Sequence, residues 1–193
     1  MKRSRENIGI LALGLVWLGS RILVSKVVSP ETGFQVGAFA NLLILLLVIY
    51  WALRDTYGTQ LPSESHFLVD LKNTLRAGSK YMILVSALIF VNYAFLEADF
   101  LAKKVADQMQ ESADWLNEDA NYQQLLVESP QLKDKSKEEL LQMKKEQVEM
   151  FNSAHTQTLF SLMALMFMNV FYAFIMVLLF RKVLYRQKTH PLS

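Results

Sequence analysis

The chain has 193 residues, of which 52% are hydrophobic, with a net charge of +2 and no cysteine. That length suits one domain or one small bundle. The absence of cysteine excludes disulfides and thiolate chemistry, and the charge is too small to argue for a nucleic-acid partner. The apolar residues come in blocks and the charges collect between them, so lipid is the expected solvent for the blocks.

The N-terminal segment is basic, with Lys2, Arg3 and Arg5, and an apolar run follows from Ile8. Ile8–Gly19 has the length of a signal-peptide core, but no small-residue cleavage site follows it. Arg21 and Lys26 instead sit in a continuing apolar helix, so Ile8–Val28 is expected to be a retained first span. Ser29 to Gly33 reads as a tight turn, with Pro30 ending the helix.

Val36–Leu53 is the expected second span, and Tyr50 and Trp51 mark its exit at an interface. Gly33, Gly37 and Asn41 recur every four residues. They form a small-residue face for close helix contact or serve as simple turn and capping glycines.

Arg54–Lys80 reads as a polar connection, made irregular by Gly58 and Pro62. Within it, Phe67, Leu68, Leu71 and Leu75 repeat at helical spacing, as in a short headgroup-level helix or a solvated loop helix. Tyr81–Leu96 is the shortest expected span, about 24 Å as a helix, so crossing requires it to run on to about Leu101. That draws Glu97 and Asp99 towards the membrane edge.

From Leu101 an alternating four-and-three rhythm places Val105, Gln108, Ser112, Trp115, Asp119, Tyr122 and Leu126 on one helix face. A kink is expected at Asn117–Asn121, where short polar side chains compete for backbone hydrogen bonds. Ser129-Pro130 breaks the helix, and Ser136 with Glu139 opens a new one as a capping box. That helix carries Leu140, Met143, Gln147, Phe151 and Ala154 on one face and is expected to lead into the last span. Leu159–Phe180 has no charged residue and reaches about 33 Å, enough for a bilayer core.

The expected fold is therefore all-α: a four-transmembrane-helix bundle with a long extracytoplasmic helical hairpin between helices 3 and 4. Residues 1–96 hold three spans with a cytoplasmic loop at 54–80. Residues 97–158 form the hairpin, and 159–193 hold the last span and a basic tail. Basic residues collect at both ends and in the loop, which places both termini in the cytoplasm.

Chemistry is scarce. His66, His155 and His190 lie in no catalytic or metal-ligand spacing, and no phosphate-loop or dinucleotide motif is present, so no cofactor is expected. The costly residues are polar ones at membrane depth: Arg21, Asn41, Asn92, Glu97, Asp99 and Asn169. Arg21 either pairs with Glu97 or Asp99 or, with Lys26, snorkels to the headgroups. Asn92 and Asn169 are expected to face the bundle and bond across helices. The fourth span is rich in Met and Phe, a surface for lipid, core packing or a partner helix.

The chain resembles a bacterial family of small four-span inner-membrane proteins with a domain of unknown function. The resemblance rests on Leu53-Arg-Asp-Thr-Tyr, Leu75-Arg-Ala-Gly78, Asn92-Tyr-Ala-Phe95, the charged run Lys137–Met150, and the closing Arg181-Lys182. It implies the multi-pass topology and offers no catalytic residue.

These features point to a non-catalytic accessory, scaffold or assembly subunit. Beyond the lipid bilayer, its expected partner is another membrane protein or a second copy, met through Trp115, Tyr122, Leu126, Leu140 and Phe151 of the hairpin. A small transporter or channel subunit is the alternative reading.

Overall fold

A computed structural model describes residues 2–59 and 66–189, and side chains within 7–58 and 66–182. All regular structure among the described residues is helical. Helix α1 spans Lys2–Val27, α2 Pro30–Thr59, α3 Phe67–Val91, α4 Ala98–Asn117, α5 Asp119–Glu128, α6 Lys137–Phe151 and α7 Ala154–Thr189. A π-helical turn, Asn92–Leu96, follows α3, and a 3₁₀ turn, Pro130–Leu132, follows α5. Among the described residues, four stretches are long and apolar enough to cross a membrane: Asn7–Val27, Pro30–Gly58, Phe67–Leu96 and Ala154–Lys182. The chain is thus all-α with the span pattern of a multi-pass membrane protein. It divides into two compact units, Met1–Ile89 with Leu159–Ser193, and Phe90–Thr158.

In the first unit the helices run up, down, up and down. The turn between α1 and α2 is shorter than the expected five residues. Pro30 opens α2, where its missing N–H costs nothing, and the Ser29 hydroxyl accepts from the Thr32 amide at 3.1 Å. Gly33 lies where a Cβ would come within 2.9 Å of the Ser25 Cα, so the two backbones need its small size. Gly37 meets the Arg21 side chain, and its carbonyl accepts from Trp17 Nε1 at 2.8 Å. The Gly33–Gly37–Asn41 face is therefore a packing surface. Fully buried Trp17, Leu45, Ile49, Tyr81, Val85 and Val177 fill the interior. Phe180 of α7 stacks on Tyr57 and meets Tyr50 edge-on, which fixes α7 beside α2.

The largest difference from the sequence reading lies at Arg54–Lys80. Arg54 to Thr59 completes α2, with Gly58 helical, while Pro62 lies outside the described residues. Phe67–Lys80 is the first half of α3, not a separate surface helix or loop. Its inner face, Asp70, Thr74, Ala77 and Gly78, is buried, and its outer face carries exposed Lys72 and Arg76. Averaged along the sequence, those two faces look like a polar connection. With this earlier start, the third apolar stretch is already long enough when the helix breaks at Glu97, whose φ of −126° and ψ of 32° leave the helical region. No extension to Leu101 is needed.

The second unit is an antiparallel helical pair. Its α4 packs against α6, with Leu101, Leu116, Leu140 and Val148 buried. The predicted kink is present: Glu118 is extended (φ −72°, ψ 115°) between α4 and α5. Asn121 Nδ2 holds it by donating to the Trp115 carbonyl at 3.0 Å and to Glu118 Oε2 at 2.9 Å. Both bonds of the Ser136/Glu139 capping box are made. The arm does not continue straight into the last span. Asn152 and Ser153 interrupt it, and the Ser153 hydroxyl caps α7 by accepting from the Thr156 amide at 3.2 Å.

Candidate functional site

Polar groups inside the first unit are arranged in pairs that bridge helices. Tyr81 Oη on α3 donates to Asn41 Oδ1 on α2 at 2.7 Å, and both residues are buried. Asn169 on α7 points its amide at the Leu75 carbonyl of α3, at a long 3.4 Å. Gly78 lies directly against Asn169, and a Cβ on Gly78 would collide with the carboxamide. Asn169 Oδ1 and Ser86 Oγ are buried with no hydrogen-bond partner among the described residues. Arg21 is 3% exposed, with its guanidinium 5.7 Å from the Trp17 ring and its stem on Gly37.

The strongest polar cluster escaped the sequence reading. Asp70 is fully buried, and its Oδ2 accepts from Tyr57 Oη at 2.7 Å and from Arg181 Nη1 at 3.0 Å. The Thr74 hydroxyl caps the Asp70 carbonyl at 2.6 Å. One carboxylate thus ties α2, α3 and α7. A buried charge is tolerated when it is paired and hydrogen-bonded in this way. Arg181 is half-buried, so the guanidinium spans the bundle interior and its surface. The sequence signal was present, since Asp70, Thr74, Ala77 and Tyr81 share one helix face. Its meaning depends on partners 13 and 111 residues away.

In the second unit, Asn92 is fully buried and donates from Nδ2 to Glu97 Oε2 at 2.8 Å, while the Glu97 amide bonds the Asn92 carbonyl at 2.7 Å. The two residues clamp the π-helical turn from both sides. π-helical turns are rare and recur at functional sites. Asp99 is exposed in the first turn of α4, where a negative charge suits the helix N-terminus. Arg21 belongs to the first unit, and Glu97 and Asp99 to the second.

The expected partner residues separate into two groups. Trp115 and Phe151 are exposed, whereas Leu140 is buried in the packing of α4 on α6 and offers no surface. Tyr122 and Leu126 are half-buried, and Tyr122 Oη donates to the Lys135 carbonyl at 3.1 Å. Met143, Met150 and Val127 are exposed apolar residues that the rhythm did not single out as partner surface. Lys137 Nζ lies over the Tyr122 ring and 2.8 Å from Asp119 Oδ1. The Lys137 hydrogen bond, then its charge, holds the Asp119 carboxyl below its ordinary range. The backbone amide of Glu138 and the Ser136 hydroxyl do the same for Glu138.

His155 packs edge-on against Phe90 at 5.0 Å. Among the described residues, no group of three or more His, Asp or Glu stands where it would hold a metal ion. No protein-family model, no curated protein and no solved structure matches this chain.

Proposed function

We propose that this chain is a non-catalytic, multi-pass protein of the bacterial inner membrane that serves as an accessory or assembly subunit. In this reading both termini are cytoplasmic, and the α4/α6 pair is an extracytoplasmic hairpin that docks another membrane protein or a second copy. Basic residues near both ends of the chain and at Arg54 support the orientation through the positive-inside rule.

The observation that carries the docking role is the exposure of Trp115, Met143, Met150 and Phe151 on a unit with a thin core of its own. Exposed aromatic and methionine side chains of this kind suit an adaptable partner surface. Purification in mild detergent tests the reading. A stoichiometric partner, or a second copy, that is lost on Trp115→Ala with Phe151→Ala supports it. Partner-free monomers with both residues dispensable in the cell contradict it.

One observation favours the second reading, a small transporter or channel subunit. Asp70 is an ionisable group buried at span level, and such groups often line ion or solute paths. Solute or ion flux from reconstituted protein, abolished by Asp70→Asn, would select that reading.

A further inference from the structure

The first half of α3 presents cations at a level of the bundle where its neighbours present hydrocarbon. Contacts within the first unit fix the level. Asp70 of α3 meets Tyr57 of α2 and Arg181 of α7, while Tyr81 meets Asn41 and Leu75 meets Asn169. The stretch of α3 from Asp70 to Tyr81 therefore lies beside α2 from Asn41 to Tyr57 and α7 from Asn169 to Arg181. Along that stretch, about 17 Å of helix, α7 exposes Val170, Phe171, Phe174, Ile175, Leu178 and Leu179. The matching part of α2 exposes Leu43, Leu47, Tyr50 and Trp51. On α3 the outward positions are Lys72 and Arg76, one turn apart and both exposed.

Two cations facing hydrocarbon would be costly, and their own geometry shows how the cost is relieved. Side chains on a helix lean towards its N-terminus, so Lys72 and Arg76 reach towards the end of the bundle that holds Arg54 and Lys182. Past Arg76 in the other direction, beyond half-buried Ser79 and Lys80, the same face turns apolar, with Ile83 at 71% exposed and then Ala87. Exposed Leu68 lies one turn before Lys72, so the cations stand between a single apolar residue at the helix start and a longer apolar continuation, an order that matches one molecule of the bilayer itself. Its phosphate meets the cations and its acyl chains run along the apolar continuation.

We infer that the outer face of α3 is a binding site for an anionic phospholipid, with Lys72 and Arg76 holding the phosphate and Ile83 and Ala87 lying against an acyl chain. The lipid headgroup is the occupant favoured over an acidic partner helix, because the apolar half of the stripe needs hydrocarbon and the bilayer supplies both parts. The inference rests on the membrane-spanning reading and is independent of the docking role of α4 and α6.

The test is electron paramagnetic resonance on the full chain in vesicles of phosphatidylcholine and phosphatidylglycerol, each spin-labelled on an acyl chain in turn. The wild type should hold phosphatidylglycerol in its motionally restricted shell more tightly than phosphatidylcholine, by roughly fivefold for each basic residue engaged. The preference should weaken with added salt. Lys72→Gln with Arg76→Gln should bring it close to unity, while Lys72→Arg with Arg76→Lys should keep it. Lys103→Gln with Lys104→Gln removes the same charge from α4 and should leave the preference intact. Equal affinity for both lipids in the wild type would overturn the site. So would a preference that survives Lys72→Gln with Arg76→Gln, or one that Lys103→Gln with Lys104→Gln removes equally. Stoichiometric capture of an acidic protein by this face without lipid preference would overturn it in favour of a partner helix. Failure of the wild type to float with the vesicles would overturn the membrane reading together with the site.

Discussion

Arg181 Nη1 lies 3.0 Å from Asp70 Oδ2, joining the last helix of the bundle to the third across 111 residues of sequence. Asp70 has no solvent exposure, so the bonds from Arg181 and Tyr57 are what satisfy its Oδ2 in the bundle interior. The pair is asymmetric, because Arg181 can reach the surface and Asp70 cannot.

That asymmetry gives the first prediction. Arg181→Leu leaves a buried carboxylate short of its cation and should cost about 3–5 kcal/mol. Asp70→Asn keeps the shape and an acceptor for Tyr57, and should cost less, about 1–3 kcal/mol. Thermal unfolding in detergent reads both. Equal, small effects would mean that the pair contributes little to the bundle.

Gly78 and Asn169 give a second. A methyl group at position 78 overlaps the Asn169 carboxamide, so Gly78→Ala should destabilise by about 1–3 kcal/mol through overpacking. Asn169→Ala makes room, so the double variant should recover much of that loss. A double variant no better than the sum of the single ones would place the strain elsewhere.

A third concerns the hydrogen bond between Tyr81 and Asn41. Tyr81→Phe removes the donor and should cost about 0.6–2 kcal/mol, the usual range for a side-chain bond between membrane helices. Unfolding of this variant beside Asn41→Leu and the double variant would show whether the two effects are coupled.

Acid should loosen the tie between Asp119 and Lys137. The folded carboxyl is held below its ordinary value by the Lys137 hydrogen bond. A group depressed in the folded state stabilises above its unfolded pKa of about 3.9 and loses that contribution as pH falls through the folded value. Local protection of the α5–α6 junction, followed by hydrogen exchange, should therefore be flat from about pH 5 upward and decline below about 4. Asp119→Asn should reduce that decline, leaving the part that the depressed Glu138 carboxyl contributes at the start of α6.

Much of the helical layout was legible because it is written locally. The Ser136 and Glu139 capping box, the break at Ser129-Pro130 and the kink at Glu118 each depend on residues within one turn of one another. The start of the third helix was not legible for the opposite reason. Asp70 looks like a water-facing acid until Arg181 and Tyr57 are beside it, and Lys72 and Arg76 raise the average polarity of a segment whose other face is buried. Leu116 rather than Trp115 enters the core of the second unit because a strict seven-residue rhythm drifts off the seam by about 20° per heptad on a straight α-helix. The cost of Asn169 is legible from its place in an apolar run, but the glycine it lies against is 91 positions earlier, and no local pattern joins the two.

In the proposed topology four stretches cross the membrane, with the α4/α6 pair on one side and both termini on the other. The chain has no cysteine, so single introduced thiols report without background. Met143→Cys and His66→Cys, at exposed positions outside the four spans, should be treated in intact cells with a maleimide that passes the outer membrane and not the inner. The thiol at 143 should be labelled directly and the thiol at 66 only after the inner membrane is opened. Labelling at 66 in intact cells with protection at 143, or equal labelling of both, would contradict the proposed topology.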